Sequence, residues 1–246
     1  PTDGGDQPFF AWVHLYDAHF PWHPHGQDDP QAEGSYDQEV AFMDRQVGRL
    51  FSFLDQRGLV ESTLVVAVAD HGEGLGDHGE IEHGFHLHEE ILRVPWIMAG
   101  PGVSAGHRVD ALVSLEDCLP TVSEMLDLPL SGERLAGRSL AAALRGEPIE
   151  SRPCYAETDL PWSSYRWSPQ RSLTTENWKY IRTPQEELYD RTRDRGELSN
   201  MVLVRGDVRD ELAADWGAPG SVAQLAAEPI GTFLQAMERF SGCLLY

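Results

Sequence analysis

Thr63-Leu-Val-Val-Ala-Val-Ala69, followed by Asp70-His71-Gly72-Glu73-Gly74-Leu75-Gly76-Asp77-His78-Gly79, decides the fold of this chain. The first seven residues are apolar and mostly β-branched, the composition of a strand buried on both faces of a parallel sheet. The chemistry then changes abruptly. In open α/β sheets ligands bind just beyond the carboxyl ends of the strands, and here that edge carries one carboxylate and one imidazole. Asp70 and His71 are therefore candidate ligands for a divalent metal. Gly72 is expected to let the backbone turn away at once, because glycine adopts turn dihedrals freely. Three readings compete: a solvated loop after a buried strand, a dinucleotide site and a metal-dependent hydrolase. Gly74, Gly76 and Gly79 formally spell G-x-G-x-x-G, but that motif needs a helix to follow. Glu80-Ile-Glu-His83-Gly-Phe-His86-Leu-His88 has no helical period, so the dinucleotide reading is weak.

Working upstream, Ser35-Tyr-Asp-Gln38 has the capping-box form. Val40, Met43, Val47, Leu50, Phe51 and Leu54 then recur at helical spacing until Gly58. Before this helix, Pro8-Phe-Phe-Ala-Trp-Val-His14-Leu-Tyr16 has strand composition and ends in Asp17-Ala-His19-Phe-Pro21-Trp22. Residues 8–69 thus read as a β–α–β unit with a right-handed crossover and parallel strands. On that reading His19 shares a sheet edge with Asp70 and His71.

Downstream, Val94–Met98 reads as a further strand and Gly100-Pro-Gly102 as a tight turn. Leu115–Leu126 has helical spacing with Pro120 as an irregularity, and Ser139–Leu144 is a short helix stopped at Gly146. Beyond residue 150 the texture changes to short strands at Cys154–Ala156, Trp178–Ile181 and Glu187–Tyr189. The aromatic stretch Leu160–Trp167 reads as a loop, and residues 206–240 as one or two terminal helices. The expected fold class is α/β: a mixed, largely parallel sheet flanked by helices over 1–150, with a smaller antiparallel sheet and terminal helices over 151–246.

The 246 residues are 41% hydrophobic, enough for a proper core, and no apolar run is long enough to span a membrane. A net charge of −21 excludes nucleic acid as a natural partner, because its phosphates are repelled. The same repulsion disfavours a large polyanionic substrate. Cys118, Cys154 and Cys243 are widely spaced, show no C-x-x-C pattern and read as incidental thiols. The chain opens on Pro1 rather than methionine, so the compartment and the oligomeric state are left open.

Several pieces, in order, resemble the sulfatase family of the alkaline phosphatase superfamily. They are Pro8-Phe-Phe…Asp17-Ala-His19-Phe-Pro21, Ala69-Asp70-His71-Gly72-Glu73-Gly74…Gly76-Asp77-His78-Gly79, and Arg93-Val-Pro95-Trp-Ile…Gly100-Pro-Gly102. Asp117-Cys-Leu-Pro120-Thr121, Trp178-Lys179-Tyr-Ile and Glu187-Leu-Tyr189-Asp190…Glu197-Leu-Ser-Asn200 continue the resemblance over residues 8–200. It implies a metal-dependent sulfuric ester hydrolase acting on a sulfate-ester small molecule or saccharide, with relatives that cleave phosphate diesters or phosphonate esters. It maps the metal onto Asp70 and His71, and contacts to the sulfate or leaving group onto His19 and His83, with His86 and His88 less favoured. Calcium fits the resemblance, whereas a histidine ligand leans towards manganese or zinc.

One element of the pattern has no counterpart. The Cys/Ser-x-Pro-x-Arg segment that carries the family's formylglycine nucleophile, and the two aspartates before it, do not occur in these 246 residues. The resemblance therefore implies the C-terminal portion of a catalytic domain, inactive by itself. A truncated, non-catalytic domain that binds metal or a partner is the reading from a different class.

Overall fold

The computed structural model describes residues 8–24, 34–130 and 135–216. The chain forms two compact units, Pro1–Val60 with Pro229–Tyr246, and Glu61–Glu228. Cys243 and most of the expected terminal helical segment fall outside the described residues.

In the first unit the principal element is helix α1, Tyr36–Gln56. The Ser35 hydroxyl accepts from Gln38 N–H at 3.3 Å, as the capping box anticipates. Gly58, at φ +65°, closes the helix beyond its Arg57 cap. Residues 8–16 form no strand, and Phe9, Phe10, Trp12, Val13 and Tyr16 are exposed. An apolar run becomes a strand only where a neighbour takes up its backbone groups. The expected β–α–β pairing is thus corrected: among the described residues every strand pair is antiparallel.

The second unit starts with β1, Val65–Val68, paired to β2, Trp96–Ala99, in the register Val65↔Ala99 to Val68↔Trp96. Val68 and Ile97 are exposed, so this ribbon is not the doubly buried strand its composition suggests. A four-residue helix α2, Glu89–Leu92, precedes β2.

Next, a 3-10 turn at Leu115–Asp117 leads into α3, Cys118–Met125. Pro120 sits in the first turn of α3, where no intrahelical N–H is required of it. Buried Asp117 accepts from Ser114 N–H at 3.1 Å and Arg138 N–H at 2.7 Å. Asp117→Ala strands both donors and should cost about 2–4 kcal/mol of stability, read from urea unfolding. A loss below roughly 0.5 kcal/mol, the range of an ordinary surface substitution, would show that water takes over both bonds. Helix α4, Ala141–Leu144, ends before Gly146 at φ +90°.

The second sheet is a meander of β3 Cys154–Thr158, β4 Gln170–Thr174, β5 Trp178–Arg182 and β6 Glu187–Asp190, in consecutive order. The strand absent from the sequence reading is β4, whose Gln-Arg-Ser-Leu-Thr carries only one strongly apolar residue. The aromatic stretch is a short helix, α5 Leu160–Tyr165, rather than a loop. Leu173, Tyr180 and Leu188 face α6, Gly206–Asp215, and form the core with its Val208 and Leu212. By the alternation of a strand, Lys179, Ile181 and Tyr189 point to the opposite face. No helix of the described residues is long and apolar enough to cross a membrane.

Buried Lys179 occupies that opposite face, its Nζ 3.0 Å from Glu197 Oε1 and 3.8 Å from Glu89 Oε2. Burial lowers the Lys179 pKa below the ordinary lysine value, against the pull of Glu197 and Glu89. Glu197 Oε2 also accepts from Glu89 N–H at 2.9 Å, which ties α2 to the segment after β6.

Candidate metal and acid–base site

Ala69 N–H donates to Pro95 O at 3.3 Å, the last bond of the β1–β2 ribbon, and the chain then leaves the sheet at Asp70. His71 N–H donates back to Asp70 Oδ1 at 3.0 Å, which fixes the carboxylate beside the next residue. His71 Nδ1 lies 2.7 Å from Gly72 O, an acceptor only, so Nδ1 carries the proton and Nε2 the lone pair. That Nε2 is 3.8 Å from Asp70 Oδ2. Two donors at this separation can share an ion whose bonds are roughly 2.0–2.5 Å each. The pair fits a divalent metal, supplying two of the ligands it needs.

Gly72 is required for a reason other than the one its position suggests. Its φ is not positive; instead its N–H donates to Ile91 O at 2.7 Å. A Cβ there would lie 1.9 Å from Glu90 O. Close approach to α2, not turn dihedrals, demands glycine.

The rest of the glycine loop folds back on itself. Gly74 N–H donates to Glu82 O at 2.8 Å and Gly76 N–H to Glu80 O at 2.9 Å. The buried Glu80 carboxylate accepts from Phe85 N–H at 2.8 Å and His86 N–H at 3.0 Å, pinning the return strand of the loop. Gly79 opens no helix, which disposes of the dinucleotide motif. This construction carries His83 onto His71: their rings stack with centroids 3.8 Å apart and planes 25° apart.

His83 Nδ1 lies 2.9 Å from Glu73 Oε1, and the Glu73 side chain is only 4% exposed. A buried carboxylate at Nδ1 orients the imidazole and keeps the proton of that nitrogen directed at it. Asp70, His71 and His83, chosen on sequence grounds, are thus held in one cluster, and Glu73 joins them. Sequence reasoning passed over Glu73 because it lay among glycines and carried no spacing signal of its own.

The other expected residues have partners of their own. His19, in the first unit, stacks on Tyr16 at 4.7 Å, with its Nδ1 3.3 Å from the Tyr16 hydroxyl and against Phe20 O. His86 Nδ1 is 3.3 Å from Gln170 Nε2. His88 is buried and its Nε2 bonds Glu187 Oε2 at 3.0 Å. Cys118 and Cys154 are half-buried free thiols. Burial raises the pKa of both, Cys154 to about 11, so neither is an activated nucleophile.

The sulfatase family model matches residues 2–128. A Delta 4,5-hexuronate-2-O-sulfatase of Bacteroides thetaiotaomicron is 31% identical over 177 residues, covering 68% of this chain and 36% of that protein. A solved 2-O GAG sulfatase aligns with a TM-score of 0.59 at 25% identity, covering 84% of this chain and 43% of its own. A phosphonate monoester hydrolase of Agrobacterium radiobacter aligns with a TM-score of 0.62 at 22% identity, covering 83% and 41%, a likeness of fold alone. The chain therefore spans less than half the length of each. The fold is alkaline-phosphatase-like, built from mixed helices and strands.

Proposed function

Because this chain belongs to the sulfatase family, we propose that it carries part of the site of a metal-dependent sulfuric ester hydrolase. The observation that supports this reading is the convergence of Asp70, His71, Glu73 and His83 at the end of β1. Residues 1–150 would be the C-terminal part of the catalytic α/β domain and 151–246 an attached subdomain. The largely parallel sheet of that domain would be completed by strands from outside this chain. A saccharide sulfate is the substrate class favoured by the hexuronate 2-O-sulfatase relative.

Asp70 and His71 would hold the metal, calcium by family and manganese or zinc by the imidazole ligand. When bound, it neutralises charge on the non-bridging sulfate oxygens. The chain's own residues do the remainder. His71 keeps its Nε2 lone pair turned to Asp70 through the bond from Nδ1 to Gly72 O. Glu73 orients His83, which would give its Nε2 proton to the departing alkoxide. The formylglycine nucleophile would be supplied by sequence outside these 246 residues, so the chain alone should turn over no aryl sulfate.

The test is an assay of the full-length protein with 4-nitrophenyl sulfate and with a 4-nitrophenyl phosphonate monoester. Faster turnover of the sulfate, lowered about 10²–10³-fold by Asp70→Asn, is expected. Preference for the phosphonate would move the assignment to that branch of the superfamily. No turnover of either ester would make this a metal- or partner-binding domain.

A further inference from the structure

A second constellation of ligand-type side chains lies outside the cluster just described and shares no side chain with it. His78, His88 and Glu90 each offer a donor atom, and these three atoms all lie within 4.8 Å of one another. His78 comes from the 3-10 turn of the glycine loop, His88 caps α2, and Glu90 lies in α2's first turn.

The outer contacts of both rings select the nitrogen left for a ligand. His78 Nε2 lies 3.1 Å from the backbone oxygen of Glu197, which can only accept, so Nε2 carries a proton. His88 Nε2 lies 3.0 Å from Glu187 Oε2, and that carboxylate also accepts from the Tyr189 hydroxyl at 2.7 Å. In each ring Nδ1 is the remaining nitrogen. His78 Nδ1 faces Glu90 Oε1 at 2.7 Å. His88 Nδ1 is buried with no hydrogen-bond partner among the described residues, in a residue only 5% exposed. An imidazole nitrogen in that position forfeits a bond it could make in water. Ligating histidines characteristically hold their second N–H on a carboxylate or a backbone carbonyl, and both kinds of support occur here.

We infer that His78, His88 and Glu90 form a second binding site, for a divalent metal ion of the zinc class, with Nδ1 of each imidazole and one Glu90 oxygen as ligands. Two nitrogens and one carboxylate suit Zn²⁺, Co²⁺ or Ni²⁺ better than the hard ions Ca²⁺ and Mg²⁺. The ion replaces the proton shared between His78 and Glu90. The two rings stack in parallel, 3.8 Å apart and 2° from coplanar orientation, so an ion near the plane of both requires one ring to tilt. Loading the site therefore unstacks the pair. Three separate segments, the glycine loop, α2 and, through Glu187 and Glu197, the end of the meander, become joined at one ion.

The experiment is a Zn²⁺ and Co²⁺ titration of the full chain carrying Asp70→Asn, so that the β1-end pair is weakened as a competing site. One equivalent is expected to bind, with Co²⁺ visible absorption of a low-coordinate nitrogen–oxygen site. His88→Gln and Glu90→Gln should each weaken binding by tenfold or more. Zinc X-ray absorption on the Asp70→Asn chain should count two imidazole ligands, a readout that needs no change to the site itself. Absence of binding, an imidazole count below two, or unchanged affinity in both folded variants would overturn the assignment. Should the His88 variant not fold, the ligand count and Glu90→Gln decide the matter.

Discussion

Lys179→Met should lower the unfolding free energy by about 3–5 kcal/mol, the cost of leaving a buried carboxylate without its counter-charge. Lys179 is wholly buried at the centre of the meander and Glu197, 3.0 Å away, is almost so. Methionine fills a similar volume, so the loss reports the charge and not a cavity. The double variant Lys179→Met/Glu197→Gln should recover most of the loss, because the surviving group is then neutral. Urea unfolding of the three proteins checks this. A single variant within about 1 kcal/mol of the parent, a loss common to ordinary substitutions, would mean that Glu197 takes up a proton or reaches water at little cost. Glu197 also holds α2 through Glu89 N–H, so the double variant should stay slightly below the parent.

His83→Ala in the full-length protein should reduce turnover of an aryl sulfate by about 10²–10⁴-fold, the usual contribution of a positioned general acid. The effect should shrink for esters whose leaving group is already acidic, since such a group departs without a proton. Glu73→Gln removes the buried negative charge at 2.9 Å from Nδ1 while keeping the shape. It should lower kcat more than it changes KM, because the imidazole loses the carboxylate that orients it. Equal losses for good and poor leaving groups would instead assign His83 to the sulfate oxygens.

Much of this arrangement was legible in the sequence. The capping box at Ser35, the helices before Arg57 and Gly146, three of the four meander strands and the Asp70–His71 strand end follow from local patterns, and the structure places them accordingly. What the sequence misstated are pairings. A β-branched run reports that a strand is favourable but not which partner it meets, so β1 was read as parallel and doubly buried when it forms a half-exposed antiparallel ribbon. β4 escaped notice because its stabilisation comes from neighbours on both sides, not from its own apolar content. Glu73 and the His88–Glu187 contact were invisible for a related reason. The second joins residues 99 apart in the chain, a separation no periodicity encodes.

The meander connects its strands in consecutive order, and each pairing joins residues close together in the chain. Closing short loops costs little entropy, so this sheet can assemble early, before the longer-range bonds from α2 are made. β5 lies inside the sheet with Lys179, Tyr180 and Ile181 wholly shielded. In deuterated water its amides should be the last of the second unit to exchange, and the glycine loop, tied down by isolated bonds, should exchange orders of magnitude sooner. The ligand-bearing loop would then open and close many times on a frame that persists, which leaves room for the chemistry to be rearranged without the sheet being remade.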